Sequence, residues 1–259
     1  MDKKTTSRDG TSLAYQVIGR GPAVILVSGA MSTGGTVAPL AHRLADHCTA
    51  VVYDRRGRGE SGDTAPYAVE REVEDLAALI DAVGGSAGLF GVSSGGALVL
   101  EAAASGLPVP QAAVYEVPFA DFLDGGAGKR AYTERLRAAL SDGRRGDAVE
   151  LFLRLTGLGE ETIRSARESP MWAGMESVAP SLAYDDAVLG DGLLPRERLA
   201  AVSVPVLSVA GGASPGWMRE AAEAVAGTVP QGAHLTLEGQ THAVEPEVLA
   251  PVLAEFFTG

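Results

Sequence analysis

The chain has 259 residues, 46% of them hydrophobic and 21% charged, with a formal net charge of −12. That length supports one sizeable core and is too short for two full enzyme domains. The acidic balance, with a pI near 4.8, repels phosphate backbones and anionic lipid surfaces, which excludes nucleic acid and membranes as expected partners.

The opening residues, Met1 to Gly10, are polar and lack the apolar centre of a signal peptide, and no apolar run reaches membrane-spanning length. Asp9-Gly10 separates two stretches, Lys3 to Ser7 and Thr11 to Ile18, whose alternation predicts a hairpin. Ala23 to Val27 is a short, wholly apolar run, the pattern of a strand buried on both faces. It ends in the small-residue loop Ser28-Gly29-Ala30-Met31-Ser32. A helix over about Thr36 to Ala45 and a strand over Thr49 to Tyr53 follow. Cys48, the lone cysteine, can form no internal disulfide and reads as a small buried apolar residue, which with the polar opening predicts a cytoplasmic protein.

Asp54 to Gly62 contains a literal G-x-G-x-x-G at Gly57, Gly59 and Gly62. A dinucleotide site needs the third glycine inside the start of a helix, and here Asp63 to Pro66 intervene, so the stretch reads as a structured loop. Val69 to Val83 has helical spacing with acids near its beginning. Leu89 to Gly91 then leads into Val92-Ser93-Ser94-Gly95-Gly96 and an Ala/Leu-rich helix to about Ser105. Glycines two before and two after Ser93 give room for a sharp strand-to-helix bend with the serine at strained angles. Such a bend raises a hydroxyl to the top of a sheet and aims the first helical amides, beginning with that of Ser94, at an oxygen beside it. Taken alone, G-x-S-x-G also occurs by chance.

Ala112 to Tyr115 is the next strand, with Glu116 at its end. Strand and helix have alternated to this point, which predicts a mostly parallel sheet covered on both faces. From 120 to 201 charged amphipathic helices (Lys129 to Ser141, Asp147 to Thr156, Glu160 to Glu168) replace the alternation. The expected division is therefore a core over 1–119 and 202–259 with a helical cap inserted between. The closing elements are a strand over Pro205 to Ala210, a helix over Trp217 to Ala226, a strand over Ala233 to Leu237, and a helix over Pro246 to Phe257.

A serine hydroxyl is a weak nucleophile and needs a base, which in turn needs a group to hold its tautomer. Of four histidines, His42, His47 and His234 fall on or beside regular elements, whereas His242 lies in the loop after the last strand, above the sheet's carboxyl edge. His242 is therefore the expected base. The loop at Ser28 offers the second oxyanion amide, that of Ala30 first and that of Met31 as the alternative. Met31, Phe119, Phe122, Met171, Trp172 and Trp217 are candidates for an apolar pocket, and each is also a candidate for ordinary packing. No cluster has metal-ligand spacing, so neither a metal nor an organic cofactor is expected. The expected partner is a small-molecule substrate, and nothing in the sequence separates a monomer from a homo-oligomer.

Together the Asp9-Gly10 hairpin, Ser28-Gly29-Ala30, the Asp54 to Gly62 loop, the Ser93 elbow and the late His242 resemble the α/β-hydrolase superfamily along nearly the whole chain. Two departures matter. Many relatives open the oxyanion loop with His-Gly, where this chain has Ser28-Gly29. The usual acid follows the strand Val206 to Ala210, where this chain has Ser214 and Pro215 and no carboxylate. Some members, haloalkane dehalogenases among them, take the acid from the end of the strand after the nucleophile helix, and Glu116 stands there, ahead of Asp121 and Asp124. The resemblance implies a serine hydrolase acting on an ester, thioester or lactone through an acyl-enzyme. The alternatives are non-hydrolytic chemistry on the same scaffold (cyclisation, C–C cleavage or perhydrolysis), favoured by the missing late acid, and a non-catalytic ligand-binding member.

Overall fold

The computed structural model describes all residues from Met1 to Gly259. Eight strands form one sheet: β1 (Lys3–Thr6), β2 (Ser12–Gly19), β3 (Ala23–Val27), β4 (Thr49–Tyr53), β5 (Gly88–Val92), β6 (Ala112–Tyr115), β7 (Val206–Gly211) and β8 (Gly232–Leu237). Their spatial order is β1-β2-β4-β3-β5-β6-β7-β8, with β1 and β2 antiparallel to their neighbours and the rest parallel. The hairpin turn is tied at Asp9, whose carboxylate accepts the Thr11 amide at 2.9 Å and the Arg56 guanidinium at 2.9 Å.

Side chains alternate across the sheet. Ile25 and Val27 join a cluster of 29 buried residues under α2 (Val69–Ala82), α3 (Ser94–Ala104) and α10 (Gly216–Thr228), while Val24 and Leu26 join one of 20 under α1 (Gly34–Leu44) and α11 (Pro246–Thr258). Each fully buried Leu, Ile or Val contributes about 1.5–3 kcal/mol of hydrophobic stabilisation, so these two clusters hold the sheet that positions the strand ends. Cys48 is fully buried in the second cluster.

Between β6 and β7 the chain is helical: α4 (Ala127–Ser141), α5 (Arg145–Leu155), α6 (Glu160–Arg167), α7 (Trp172–Val178), α8 (Leu182–Val188) and α9 (Arg196–Ala200), with 3-10 turns at Ala120–Phe122 and Ala179–Ser181. Three of the six, α7, α8 and α9, were not expected from the sequence, because five to seven residues give too little periodicity to read. The insertion has its own cluster of ten buried residues, against which Ala30 and Met31 pack from the loop after β3. Its last part returns to the main core, where Leu194 and Leu199 are buried. No helix is long and apolar enough to cross a membrane.

Candidate active site

The bend after β5 has the tight packing its glycines require. A Cβ on Gly91 would stand 2.3 Å from the Gly95 carbonyl oxygen, and one on Gly95 would stand 2.4 Å from that of Val27. Ser93 sits between them at φ 57° and ψ −127°, and its amide donates to the Tyr115 carbonyl at 2.9 Å. Its hydroxyl is half-buried and makes no hydrogen bond within the chain.

Only three residues other than glycine have positive φ: Met31 at 57°, Ser93 at 57° and Glu116 at 47°. Such conformations cost on the order of 1–3 kcal/mol each and persist only where the surroundings enforce them. All three lie at strand ends on one rim of the sheet, after β3, β5 and β6. The strain is thus concentrated at the three strand ends where an oxyanion loop, a nucleophile and an acid are expected.

Glu116 is fully buried and spans the gap to the late loop. Its Oε2 lies 2.8 Å from His242 Nδ1, and its Oε1 accepts the Gly211 amide at 2.8 Å. Beside it, the Tyr115 hydroxyl donates to the Thr241 carbonyl at 2.6 Å, so two adjacent residues at the end of β6 clasp two adjacent residues of the loop after β8. Burial disfavours the Glu116 charge, but His242, the neighbouring Ser214 and the Gly211 amide outweigh it and hold the carboxyl below its ordinary value. An ionised carboxylate can only accept, so Nδ1 donates in this contact and Nε2 is the ring nitrogen turned away from Glu116. The other two carboxylates considered are engaged elsewhere, Asp121 with the Leu194 amide and Asp124 with the Gly128 amide, both at 2.7 Å.

At the other wall, the amides of Ala30, Met31 and Ser94 donate to no group within the chain. For Ser94, the first residue of α3, this follows from helix geometry, since the first helical amides have no intrahelical acceptor. Ser28 holds the place of the histidine common in relatives, and its hydroxyl is buried with no partner. Arginines support the loop instead. Arg55 Nη1 donates to the Ser28 carbonyl at 3.2 Å, and Arg58 Nη1 donates to the Gly29 carbonyl at 2.7 Å and that of Ser32 at 3.3 Å.

Those arginines belong to the glycine-rich loop, which is a structural element as its spacing predicts. Gly57 and Gly59 have positive φ, and Asp54 ties the loop to α1 by accepting the amides of Gly34 at 2.8 Å and Glu60 at 2.9 Å. Arg55 pairs with Glu72 through two bonds of 2.7 Å, and Arg56 pairs with Asp75 at 2.6 and 2.7 Å. Acids near the start of α2 suit a helix N-terminus, but two of them are buried partners of these arginines. The readable signal was their position: Glu72, Asp75, Leu76 and Leu79 share one face, so two acids lie within the apolar stripe.

The six expected pocket residues differ in burial and in the cluster they join. Phe119 is buried in the larger core cluster and Trp172 in that of the insertion, whereas Phe122 and Met171 are exposed. Met31 is half-buried against the insertion, and Trp217 is half-buried near the start of α10. Of the remaining histidines, His42 and His47 are exposed, and His234 bonds to the Ser208 carbonyl on the adjacent strand at 3.0 Å. No group of three or more His, Cys, Asp or Glu side chains is arranged to hold a metal ion.

Sheet order, elbow and rim define the class. The chain belongs to the alpha/beta hydrolase family, whose sequence profile matches residues 24–252, and it is a hydrolase enzyme. Among relatives, it is 33% identical over 236 residues to a pimeloyl-[acyl-carrier protein] methyl ester esterase of Xanthomonas campestris pv. campestris, covering 88% of this chain and 90% of that protein. Among solved structures it is similar to an alpha/beta hydrolase from Sphaerobacter thermophilus DSM 20745, with 52% identity, a TM-score of 0.90, and 99% and 100% of the two chains covered. A thermophilic esterase from Thermogutta terrifontis shares the fold at 24% identity and a TM-score of 0.74, with 99% of each chain covered.

Proposed function

We propose that this protein is a serine hydrolase that cleaves an ester, thioester or lactone of a small, largely apolar substrate through an acyl-enzyme. The observation that carries the reading is the 2.8 Å contact between Glu116 and His242 Nδ1, which leaves Nε2 as the base on the rim that bears the strained Ser93. Similarity to a methyl ester esterase supports the reaction class. The apolar character of the substrate is suggested by Ala30 and Met31, which sit against the apolar cluster of the insertion.

In this scheme the Ser93 hydroxyl, free of internal hydrogen bonds, turns toward His242 Nε2, gives up its proton and attacks the carbonyl carbon. Glu116 holds the ring and stabilises the imidazolium that forms. The amides of Ser94 and Ala30, with Met31 as the alternative to Ala30, receive the developing oxyanion. His242 returns the proton to the departing alcohol or thiol, and water repeats the sequence to release the acid and restore Ser93. The reading of non-hydrolytic chemistry drew on the carboxylate missing after β7, and Glu116 in contact with His242 weakens that ground. A cytoplasmic setting suits the lone buried Cys48.

The test is labelling by a fluorophosphonate together with hydrolysis of short p-nitrophenyl esters. The expected result is labelling and turnover in the native protein and loss of both in Ser93→Ala. Undiminished esterase activity in that variant would overturn the proposal.

A further inference from the structure

The insertion places one buried carboxylate behind the elbow. Asp185 on α8 has a side chain only 5% exposed, and it accepts four hydrogen bonds. Ser94 Oγ donates to its Oδ1 at 2.8 Å, Arg55 Nη1 at 2.8 Å, and Arg58 Nη2 donates to both oxygens at 2.8 and 2.7 Å. Burial disfavours the charge, but the two guanidiniums overcome this and hold the carboxyl below its ordinary value.

The route from this carboxylate to the rim is short and covalently constrained. The Gly29 carbonyl and the Ala30 amide belong to one planar peptide unit, so they point in opposite directions. Arg58, which grips that carbonyl at 2.7 Å, therefore sets where the Ala30 N–H points and polarises it. Arg55 does the same for the Ser28 carbonyl one unit earlier. Ser94, whose amide forms the other wall, is anchored to Asp185 directly by its hydroxyl. Both walls thus meet at one side chain, and that side chain comes from the insertion.

We propose that Asp185 is a positioning residue for the oxyanion pocket: by fixing Arg58, Arg55 and Ser94 together, it aligns the Ala30 and Ser94 amides and makes transition-state stabilisation depend on the seating of α8. This rests on the serine-hydrolase reading above. An oxyanion donor is worth roughly 10²–10³ in rate, and partial misalignment of two donors loses part of that.

The experiment compares Asp185→Asn with native protein on a p-nitrophenyl ester, and measures inhibition by an aryl trifluoromethyl ketone, whose serine adduct carries an oxyanion, and by the matching methyl ketone as a ground-state control. The expected result is a fall in kcat of roughly 10–100-fold with KM changed by no more than about 3-fold. Affinity for the trifluoromethyl ketone falls in parallel with kcat/KM, and that for the methyl ketone is retained. A folded Asp185→Asn with native kcat and native trifluoromethyl ketone affinity overturns the proposal, as does equal weakening of both ketones with a change in KM alone. Should Asp185→Asn not fold, Ser94→Ala decides. It keeps the amide and all charges and is expected to lose about 3–10-fold in kcat and in trifluoromethyl ketone affinity, and native values for both overturn the proposal. Activity that survives Ser93→Ala would instead defeat the underlying reading, so the two failures are distinguishable.

Discussion

Two buried acidic sites flank the elbow, and their partners differ in kind. Glu116 faces an imidazole that is 43% exposed at the rim, a group able to gain and lose a proton. Glu72 and Asp185 face Arg55 and Arg58, whose side chains are at most 1% exposed and whose charge is permanent. The first arrangement can change its protonation during a reaction. The second is locked in one state and serves geometry. Breaking one member of a sealed pair leaves an uncompensated buried charge, whereas altering Glu116 leaves an imidazole that water can reach.

The contrast breaks most visibly through rate. Ser93→Ala is expected to lower kcat for ester hydrolysis by roughly four to six orders of magnitude, with a melting temperature close to native. Glu116→Gln comes next, at roughly 10³–10⁴-fold in kcat: the amide nitrogen of glutamine presents a donor to Nδ1 and favours the wrong tautomer, while shape is kept. A Glu116→Gln enzyme within about 10-fold of native would show that another group orients His242. Glu72→Gln is the converse. It is expected to cost about 3–5 kcal/mol of stability, read by urea denaturation, because Arg55 loses one of its two anionic partners.

Titration sharpens the comparison further. Glu72, Asp185 and Glu116 are all held below their ordinary values. A depressed folded value means that the stabilisation is complete above the unfolded value, about 4, and is lost as pH falls through the folded value. Melting temperature is therefore expected to be insensitive to these groups between pH 7 and pH 5 and to drop below about pH 4. A steep loss already between pH 7 and pH 5 would contradict the locked state. The smallest effect is expected at Tyr184, stacked on Tyr67 with ring centroids 3.9 Å apart, where Tyr184→Phe removes only the exposed bond to Asp63 at 2.7 Å. Its cost should be about 0.5–1.5 kcal/mol with kcat unchanged.

What could be read in the sequence was chemistry carried by neighbours in the chain. The elbow declares itself because Gly91, Ser93 and Gly95 lie within five residues, and strands such as Ala23–Val27 and Thr49–Tyr53 because uninterrupted apolar runs suit a sheet buried on both faces. Glu116 draws notice only through the family resemblance, which implies an acid at this strand end in a chain with no carboxylate in the loop after β7; nothing in its immediate neighbours marks it out. The contacts of Asp185 with Ser94 and Arg55 are separated by 91 and 130 residues, and no local pattern distinguishes that aspartate from the adjacent Asp186, which pairs with Lys129 at 2.6 Å. The burial of single aromatics is illegible for a related reason. An aromatic at the start of an insertion has the same local signature whether it turns inward, as Phe119 does, or outward, as Phe122 does.

The origin of Asp185 outside the sheet constrains any attempt to alter specificity by exchanging helical segments between family members. A transplanted segment without an anion at this position would leave the buried Arg58 with no carboxylate and Arg55 with Glu72 alone, beneath the loops that follow β3 and β5, and the chimera would fail before its new cavity was ever sampled. Donors should therefore be sorted first by whether they carry that acid, and only then by the shape of what they enclose.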